Sequence, residues 1–293
     1  MATIVKRTVK GIQYYYLEHA IREKGRVDRR SVYLGRTIPE DIERIKERLL
    51  YEINKEKWFG EFDKMKERYA NEAQTLPESA SKKEMRTFSV RFTYDTQRME
   101  GSTLSLGETS RLLLEGITPG GKPVEDVKEA EAHQKVFLAA LEYAGDLSLP
   151  LVLDWHWKIF QQTKPDIAGK VRRHAVRIAG SNYVPPTPVE LQALLTELFE
   201  WYDRRSAHVH PVELAALVHF KFVTIHPFSD GNGRLGRLFM NFVLNRHGYP
   251  MLSIEYRRRA AYYRALERAQ ITKEDRRFTN WFFRRYKKAS NHP

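Results

Sequence analysis

The chain has 293 residues, 42% of them hydrophobic and 12% aromatic, which is enough apolar material for one large domain or a domain with an appended module. No stretch approaches the roughly 18 consecutive apolar residues of a membrane span, and the opening MATIVKRTVKGIQYYY lacks the apolar core of a secretory signal. The absence of cysteine excludes disulfides, a thiol nucleophile and a cysteine-ligated zinc. Together these features lead to the expectation of a cytoplasmic protein without a membrane anchor.

The net charge of +13 sits at the two ends: residues 1–50 carry 12 Lys/Arg against 7 Asp/Glu, residues 251–293 carry 12 against 4, and the rest balance. Such ends suit nucleic acid, an acidic protein partner or a solvated surface, and the last is the commonest fate of spread Lys and Arg.

Residues 2–36 read as strands. TIVKRTV, IQYYYLEHAIRE and RVDRRSVYLG are rich in β-branched and aromatic residues, with a turn at Lys24-Gly25 between the last two. Thr37-x-x-Glu40 with Pro39 is a helix-start signature, and Ile42, Ile45, Leu49, Ile53 and Trp58 follow at helical spacing. Polar NEAQTLPESASKKE (71–84) reads as a linker, which gives an N-terminal strand-and-helix module over 1–80 and a second domain over 85–288. From residue 85 the pattern is mainly helical. One helix covers 86–99 and stops at Gly101; Ser105-x-x-Glu108 opens another that Gly116 closes. VEDVKEAEAHQKVFLAALEYAG is a long amphipathic helix, and Thr187-Pro188-x-Glu190 starts a later one. HAVRIAGSNYVPP (174–186) is the exception, two short β-like runs about Gly180-Ser181-Asn182 that predict a hairpin. Apolar PVELAALVHFKFVTI (211–225) and LGRLFMNFVLN (235–245) enclose the stretch HPFSDGNGRLGR.

That stretch, His226 to Arg237, carries the chemistry. Gly231, Asn232 and Gly233 precede a helix, so unobstructed backbone N–H groups and the helix N-terminus form a nest for phosphate. Arg234 and Arg237, three apart on the first turn, suit further phosphate oxygens. Asp230 is one hard oxygen ligand, the arrangement that Mg²⁺ prefers beside phosphates. His226 ends the preceding helix and suits a general base, since an unperturbed imidazole has a pKa of about 6.5. The set predicts a site for in-line displacement at phosphorus. A calcium loop lacks its alternating acids here, and the Walker pattern GxxxxGK[ST] is missing. Taken singly, each of these residues has a blander reading as a turn, a helix-end histidine or surface charge.

The stretch resembles the Fic signature HPFx[D/E]GNGRxxR at every specified position, and the resemblance spans roughly residues 86–286, including NFVLNRHGYP and RRAAYYRAL. It implies a mainly α fold, a Fic helical bundle with a β-hairpin flap, here with the small N-terminal sheet and helix module added. It implies an enzyme, a protein adenylyltransferase moving AMP from ATP onto a Ser, Thr or Tyr hydroxyl, with Mg²⁺ or Mn²⁺. By the same resemblance His226 deprotonates the hydroxyl, Asp230 holds the metal, Gly231, Asn232 and Gly233 cradle the phosphates, and Arg234 and Arg237 stabilise the departing ones. Phe228 anchors the loop. Glycine at 233 is the AMP-transfer form, where a kinase-like branch has lysine.

Gly180, Ser181, Asn182 and Tyr183 match the family's flap, where an exposed edge suits an extended target segment; a purely structural hairpin is the alternative. Tyr262 and Tyr263 match a tyrosine pair near the nucleotide or are core aromatics. Gln270 stands where relatives often have asparagine near the adenine. Thr96-x-x-x-Glu100-Gly101 resembles the inhibitory motif [S/T]xxxE[G/N], whose glutamate pairs with the second motif arginine, here Arg237, and so takes the place of the γ-phosphate. Some such proteins use that glutamate to remove AMP again, which makes a bifunctional enzyme the second reading. The third is a nucleic-acid-binding regulator with a secondary Fic site, motivated by the basic ends, although no helix-turn-helix or RNA-recognition signature accompanies them. Self-modification is one expected reaction. The first module is open to three roles: positioning targets, self-association into a homodimer, or capping the core.

Overall fold

The computed structural model describes residues 2–23 and 26–289, so the turn expected at Lys24-Gly25 lies outside the described residues. The chain divides into two compact units between Glu61 and Phe62, earlier than the 80/85 boundary that composition suggests.

The first unit contains a meander of three antiparallel strands, β1 (Thr3–Val9), β2 (Ile12–Glu23) and β3 (Arg26–Gly35), paired in that order. Val9 faces Ile12, leaving Lys10 and Gly11 as a two-residue turn, both with positive φ (48° and 78°). That geometry follows the right-handed twist of the strands, and glycine reaches it without a Cβ clash. Tyr16 and Tyr33 pair across β2 and β3 with ring centroids 5.3 Å apart, the kind of cross-strand aromatic contact that stabilises a small sheet.

Helix α1 (Ile42–Thr75) begins after the Thr37–Glu40 signature and runs through the division between the units. The stretch 71–84 is a correction to the sequence reading. It is not a linker: residues 71–75 end α1 and α2 (Glu78–Met99) begins at once, with only Leu76 and Pro77 between them. Proline has no N–H to donate and pushes the residue before it out of helical geometry, so it breaks the helix without opening a loop. The polar composition belongs to solvated helix surface, laced by pairs such as Lys82 with Glu78.

Among the described residues, the regular elements of the second unit are all helical. Ser105 and Glu108 form the expected capping box of α3 (Leu106–Ser110), which runs into one π turn (Arg111–Glu115) and ends at Gly116, φ 72°. Next come α4 (Val124–Glu142), α5 (Leu149–Phe160), α6 (Leu191–Arg205), α7 (Pro211–Ile225), α8 (Asn232–Arg246), α9 (Arg259–Thr272) and α10 (Asp275–Ala289). The sequence reading does not single out α5. A second capping box, Thr187 with Glu190, leads into α6 as expected.

Helices α7 and α8 form the centre. They are apolar nearly all round, as helices buried on every side must be, and Leu214, Ala215, Ala216, Leu235 and Phe239 are fully enclosed. Gly236 lets them approach closely: a Cβ there would lie 2.6 Å from Val223 Cγ1. Within α1, Phe62 packs edge-on against Phe283 and Tyr286 of α10 (5.5 and 5.2 Å between centroids). Helix α10 buries Phe278, Phe282 and Tyr286. Its basic residues line the opposite face, and Arg285 pairs with Glu255. Much of the basic C-terminus is therefore the polar side of an amphipathic helix.

The expected hairpin at 174–186 does not form a ladder. The segment has a turn at Gly180 (φ 73°) and no paired strands on either side of it. β-Branched composition alone does not make a strand when no backbone lies alongside to accept its hydrogen bonds. Arg172 holds the base of this loop instead, donating to the carbonyls of His174 and Pro186.

Candidate active site

The loop between α7 and α8 is held from within. Asn232 Oδ1 accepts from the Phe228 N–H (2.9 Å) and its Nδ2 donates to the Phe228 carbonyl (2.8 Å). The side-chain amide thus closes the loop on itself, so any part Asn232 plays at a phosphate falls to its backbone. Phe228 is fully buried and stacks on His156, centroids 3.9 Å apart. His156 takes the Gly169 N–H on Nδ1 (2.8 Å), which leaves Nε2 to donate to the Asp230 carbonyl (3.1 Å). Burial, then Arg234 and Lys164, push its pKa down to about 4 despite that carbonyl. It is a neutral strut. Gly231 has φ 83°, and a Cβ there would lie 2.5 Å from the Phe160 ring, so this position needs glycine both for conformation and for space.

His226 caps α7 in a left-handed conformation, φ 52°. Its Nδ1 lies 3.3 Å from the Val223 carbonyl. A carbonyl only accepts, so Nδ1 carries the proton and Nε2 presents its lone pair. Burial is the main reason its pKa lies below the ordinary value; Arg172 lowers it further, while the Val223 carbonyl, Glu100 and Asp230 pull the other way. Arg172 also donates from Nε to the His226 carbonyl (2.8 Å), joining the loop between α7 and α8 to the base of the 174–186 loop.

The two motif arginines have different surroundings. Arg234 is buried and does not project as a free clamp. It bonds Glu129 of α4, Asp230 (2.8 Å) and Gln97 of α2 (3.2 Å), and lies 4.5 Å over the Phe160 ring. Arg237 is 1% exposed and donates to the Thr96 hydroxyl (2.6 Å), the Thr96 carbonyl (3.3 Å) and Glu100 Oε1 (2.5 Å). The 96–101 motif is thus brought onto the second arginine as expected. Glu100 is the C-cap of α2, and Gly101, φ 101°, turns the chain away. Gly233 leaves room for this pair: a Cβ would meet Glu100 Oε1 at 2.4 Å and Arg237 Nη1 at 2.9 Å.

Asp230 accepts from the Gly231 N–H (2.5 Å) and Arg234 on Oδ1, and from Lys164 Nζ (2.6 Å) on Oδ2. Burial works against its charge, but Arg234 and Lys164 more than offset this and hold the carboxyl far below the usual range. Among the described residues no group of three or more His, Asp or Glu converges to ligate a metal. The donor set still fits Mg²⁺. The ion asks for one ionised carboxylate and takes the rest of its shell from phosphate and water, and Oδ2 faces a partly exposed lysine rather than the interior.

Tyr262 is a buried core tyrosine, its hydroxyl 3.0 Å from His219 Nε2 and its ring 6.0 Å from the Arg237 guanidinium. Tyr263 is partly exposed and donates to the Met99 carbonyl (3.1 Å), bracing the end of α2. Gln270 is buried and reaches Thr224 Oγ1 (3.3 Å). In the 174–186 loop, Ser181 Oγ and the Asn182 N–H donate to Glu267 (3.2 and 2.6 Å), and the Tyr183 hydroxyl donates to the Thr224 carbonyl (3.0 Å). Sequence reasoning missed Gln97, Glu129, His156, Lys164 and Arg172. The motif 226–237 carries no signal for them, because they reach the loop from other parts of the chain: Gln97, Glu129 and His156 from helices, Lys164 and Arg172 from the segment after α5.

A glycine-rich loop opens a buried helix, with a histidine before it and a carboxylate-capped arginine behind it. Residues 146–244 match the Fic/DOC family. Protein adenylyltransferase Fic of Aedes aegypti is 36% identical over 183 residues, 61% of this chain and 36% of its own length; that of Drosophila ananassae is 35% identical over 180 residues, 60% and 36%. A Fic domain containing signaling protein from Bacteroides thetaiotaomicron superposes with a TM-score of 0.70 at 27% identity, over 80% of this chain and 95% of that one. Residues 134–508 of Fic-1 from C. elegans give 0.73 at 26%, over 85% and 74%. The chain carries a Fic/DOC-family domain on the Fic fold. It spans 36% of the length of these curated relatives. No helix among the described residues is long and apolar enough to cross a membrane.

Proposed function

We propose that this protein is an adenylyltransferase that moves AMP from ATP to a hydroxyl of a target protein, and that Glu100 holds it inactive. The observation that carries the reading is the closure of Arg237 by Glu100 at the head of the α8 loop (2.5 Å). An arginine kept charged and buried beside a phosphate nest is suited to a polyphosphate tail, and a carboxylate is the group that would repel that tail.

In the reaction, His226 Nε2 takes the proton of the target hydroxyl. The freed oxygen forms a bond to the α-phosphorus, the bond from that phosphorus to the bridging oxygen breaks, and pyrophosphate leaves with the electron pair. The histidine has a pKa below the ordinary value because of burial first, so it is a free base at neutral pH. Backbone N–H groups at Asn232 and Gly233 orient the phosphates while that of Gly231 stays on Asp230, and Arg237, once Glu100 leaves it, stabilises charge on the leaving group. Arg234 acts at one remove: it holds Asp230 in place. A divalent ion held by Asp230 would supply charge neutralisation on the phosphates.

The test uses ATP labelled at the α-phosphate with Mg²⁺, reading label on the protein itself and on proteins of a cell lysate. Glu100→Gly is expected to label strongly and the native chain weakly. His226→Ala in the Glu100→Gly background should lose about 10²–10⁴-fold. ATP binding by Glu100→Gly without label on any protein would overturn the transferase reading. Release of AMP from a labelled protein by the native chain, with water as the acceptor, lost in Glu100→Gly, would identify hydrolytic AMP removal as a second activity of the same site.

A further inference from the structure

Among the described residues, Lys164 is the more exposed of the two side-chain cations on Asp230. It follows α5 in a run of tight turns, with its N–H on the Phe160 carbonyl (2.8 Å). Its Nζ lies 2.6 Å from Asp230 Oδ2 and 3.0 Å from Glu129 Oε1, and 5.3 Å from the Phe160 ring centroid. The other cation on Asp230, Arg234, is 2% exposed and tied to Glu129 and Gln97 as well, so it has nowhere to go. Lys164 is 37% exposed, and its flexible four-carbon stem can keep Glu129 while giving up Asp230. The ammonium thus sits on the carboxylate oxygen that a hard divalent ion requires, and the two cations are alternatives for the same lone pairs.

We propose that Lys164 is a positioning residue that competes with the divalent cation for Asp230, holding the carboxylate ready and making metal binding weak until nucleotide phosphates add their own oxygens. This rests on the adenylyltransferase reading, in which Asp230 is the metal carboxylate.

The test is binding of Mn²⁺ alone to the full chain, without nucleotide, followed by the electron paramagnetic resonance signal of the free ion. Lys164→Met is expected to bind Mn²⁺ about tenfold more tightly than the native chain, the equivalent of losing one charge-assisted competitor. Lys164→Arg, which keeps the charge, should stay near the native affinity. The gain should vanish in Lys164→Met/Asp230→Asn, which places it on that carboxylate. Equal affinity of the native chain and Lys164→Met, or a gain that survives Asp230→Asn, overturns the proposal. If Lys164→Met does not fold, Lys164→Gln removes the charge while keeping a hydrogen-bonding side chain, and the same outcomes apply. The two readings fail separately. Tighter Mn²⁺ binding with no AMP transfer by Glu100→Gly sinks only the transferase reading, and AMP transfer with unchanged Mn²⁺ affinity sinks only the role of Lys164.

Discussion

Two carboxylate–arginine pairs flank the α8 loop, and they are built differently. Glu129–Arg234 joins α4 to α8 with side chains 8% and 2% exposed, and Asp230, Gln97, Lys164 and Thr163 all bond to one member or the other. Glu100–Arg237 joins the end of α2 to α8; its arginine is as buried, but its glutamate is 25% exposed and comes from a helix cap followed by glycine. The first pair is enclosed by its network. The second is enclosed on the arginine side only, and its acid can leave into solvent without taking a buried charge with it. The motif spells both arginines alike, and only their acids distinguish a structural clamp from a releasable one.

The comparison breaks most visibly at Glu129. Glu129→Ala leaves Arg234 buried with only part of its compensation, which should cost about 3–5 kcal/mol in denaturant unfolding. Glu100→Ala should cost less, about 1–2 kcal/mol, because solvent reaches the place the carboxylate leaves and Thr96 still bonds the guanidinium. Equal losses for the two variants would mean that both pairs are structural. Their activities should diverge in the opposite sense, with label transfer rising in Glu100→Ala and falling in Glu129→Ala.

Thr96→Val probes the same contrast on a finer scale. Its hydroxyl bonds Arg237 Nε (2.6 Å) while its carbonyl bonds Nη2, so the substitution removes one of two Thr96 contacts and keeps the shape. A loss of about 1 kcal/mol in unfolding free energy is expected, with a rise in label transfer well short of that from Glu100→Ala, since the carboxylate remains. A rise as large as that of Glu100→Ala would move the inhibitory role from the acid to the hydroxyl.

The histidine, glycines and arginines of the site were legible because they are contiguous: residues 226–237 form one loop and one helical turn, so spacing alone places them together. The pairing of Glu100 with Arg237 was legible only through its resemblance to an inhibitory motif. Glu129 was not, because its place beside Arg234 follows from the packing of α4 against α8, and nothing local to VEDVKEAEAH marks one glutamate among its neighbours. The same holds for Lys164. Two fold expectations failed for related reasons. Polar 71–84 looked like a linker because composition reports exposure, not backbone geometry. The 174–186 stretch looked like a hairpin because β-propensity reports a fit to a sheet that is absent there.

The smallest effect reads the releasable pair from the histidine's side. Glu100 is among the groups that raise the His226 pKa, against the larger effect of burial and the charge of Arg172. Neutralising the acid therefore shifts the titration toward lower pH. In Glu100→Gln, the ¹³C resonance of the His226 ring should titrate at lower pH than in the native chain, and in both chains below the ordinary value of about 6.5. The sign for stability follows. A folded pKa below the unfolded one means that the unfolded chain binds the proton more readily, so this contribution is present above about pH 6.5 and is lost as pH falls through the folded value. Glu100→Gln should widen that window on its acid side. A shift toward higher pH, or none, would mean that Glu100 does not face the base, and the releasable pair would then control Arg237 alone, without reaching the proton that the reaction removes.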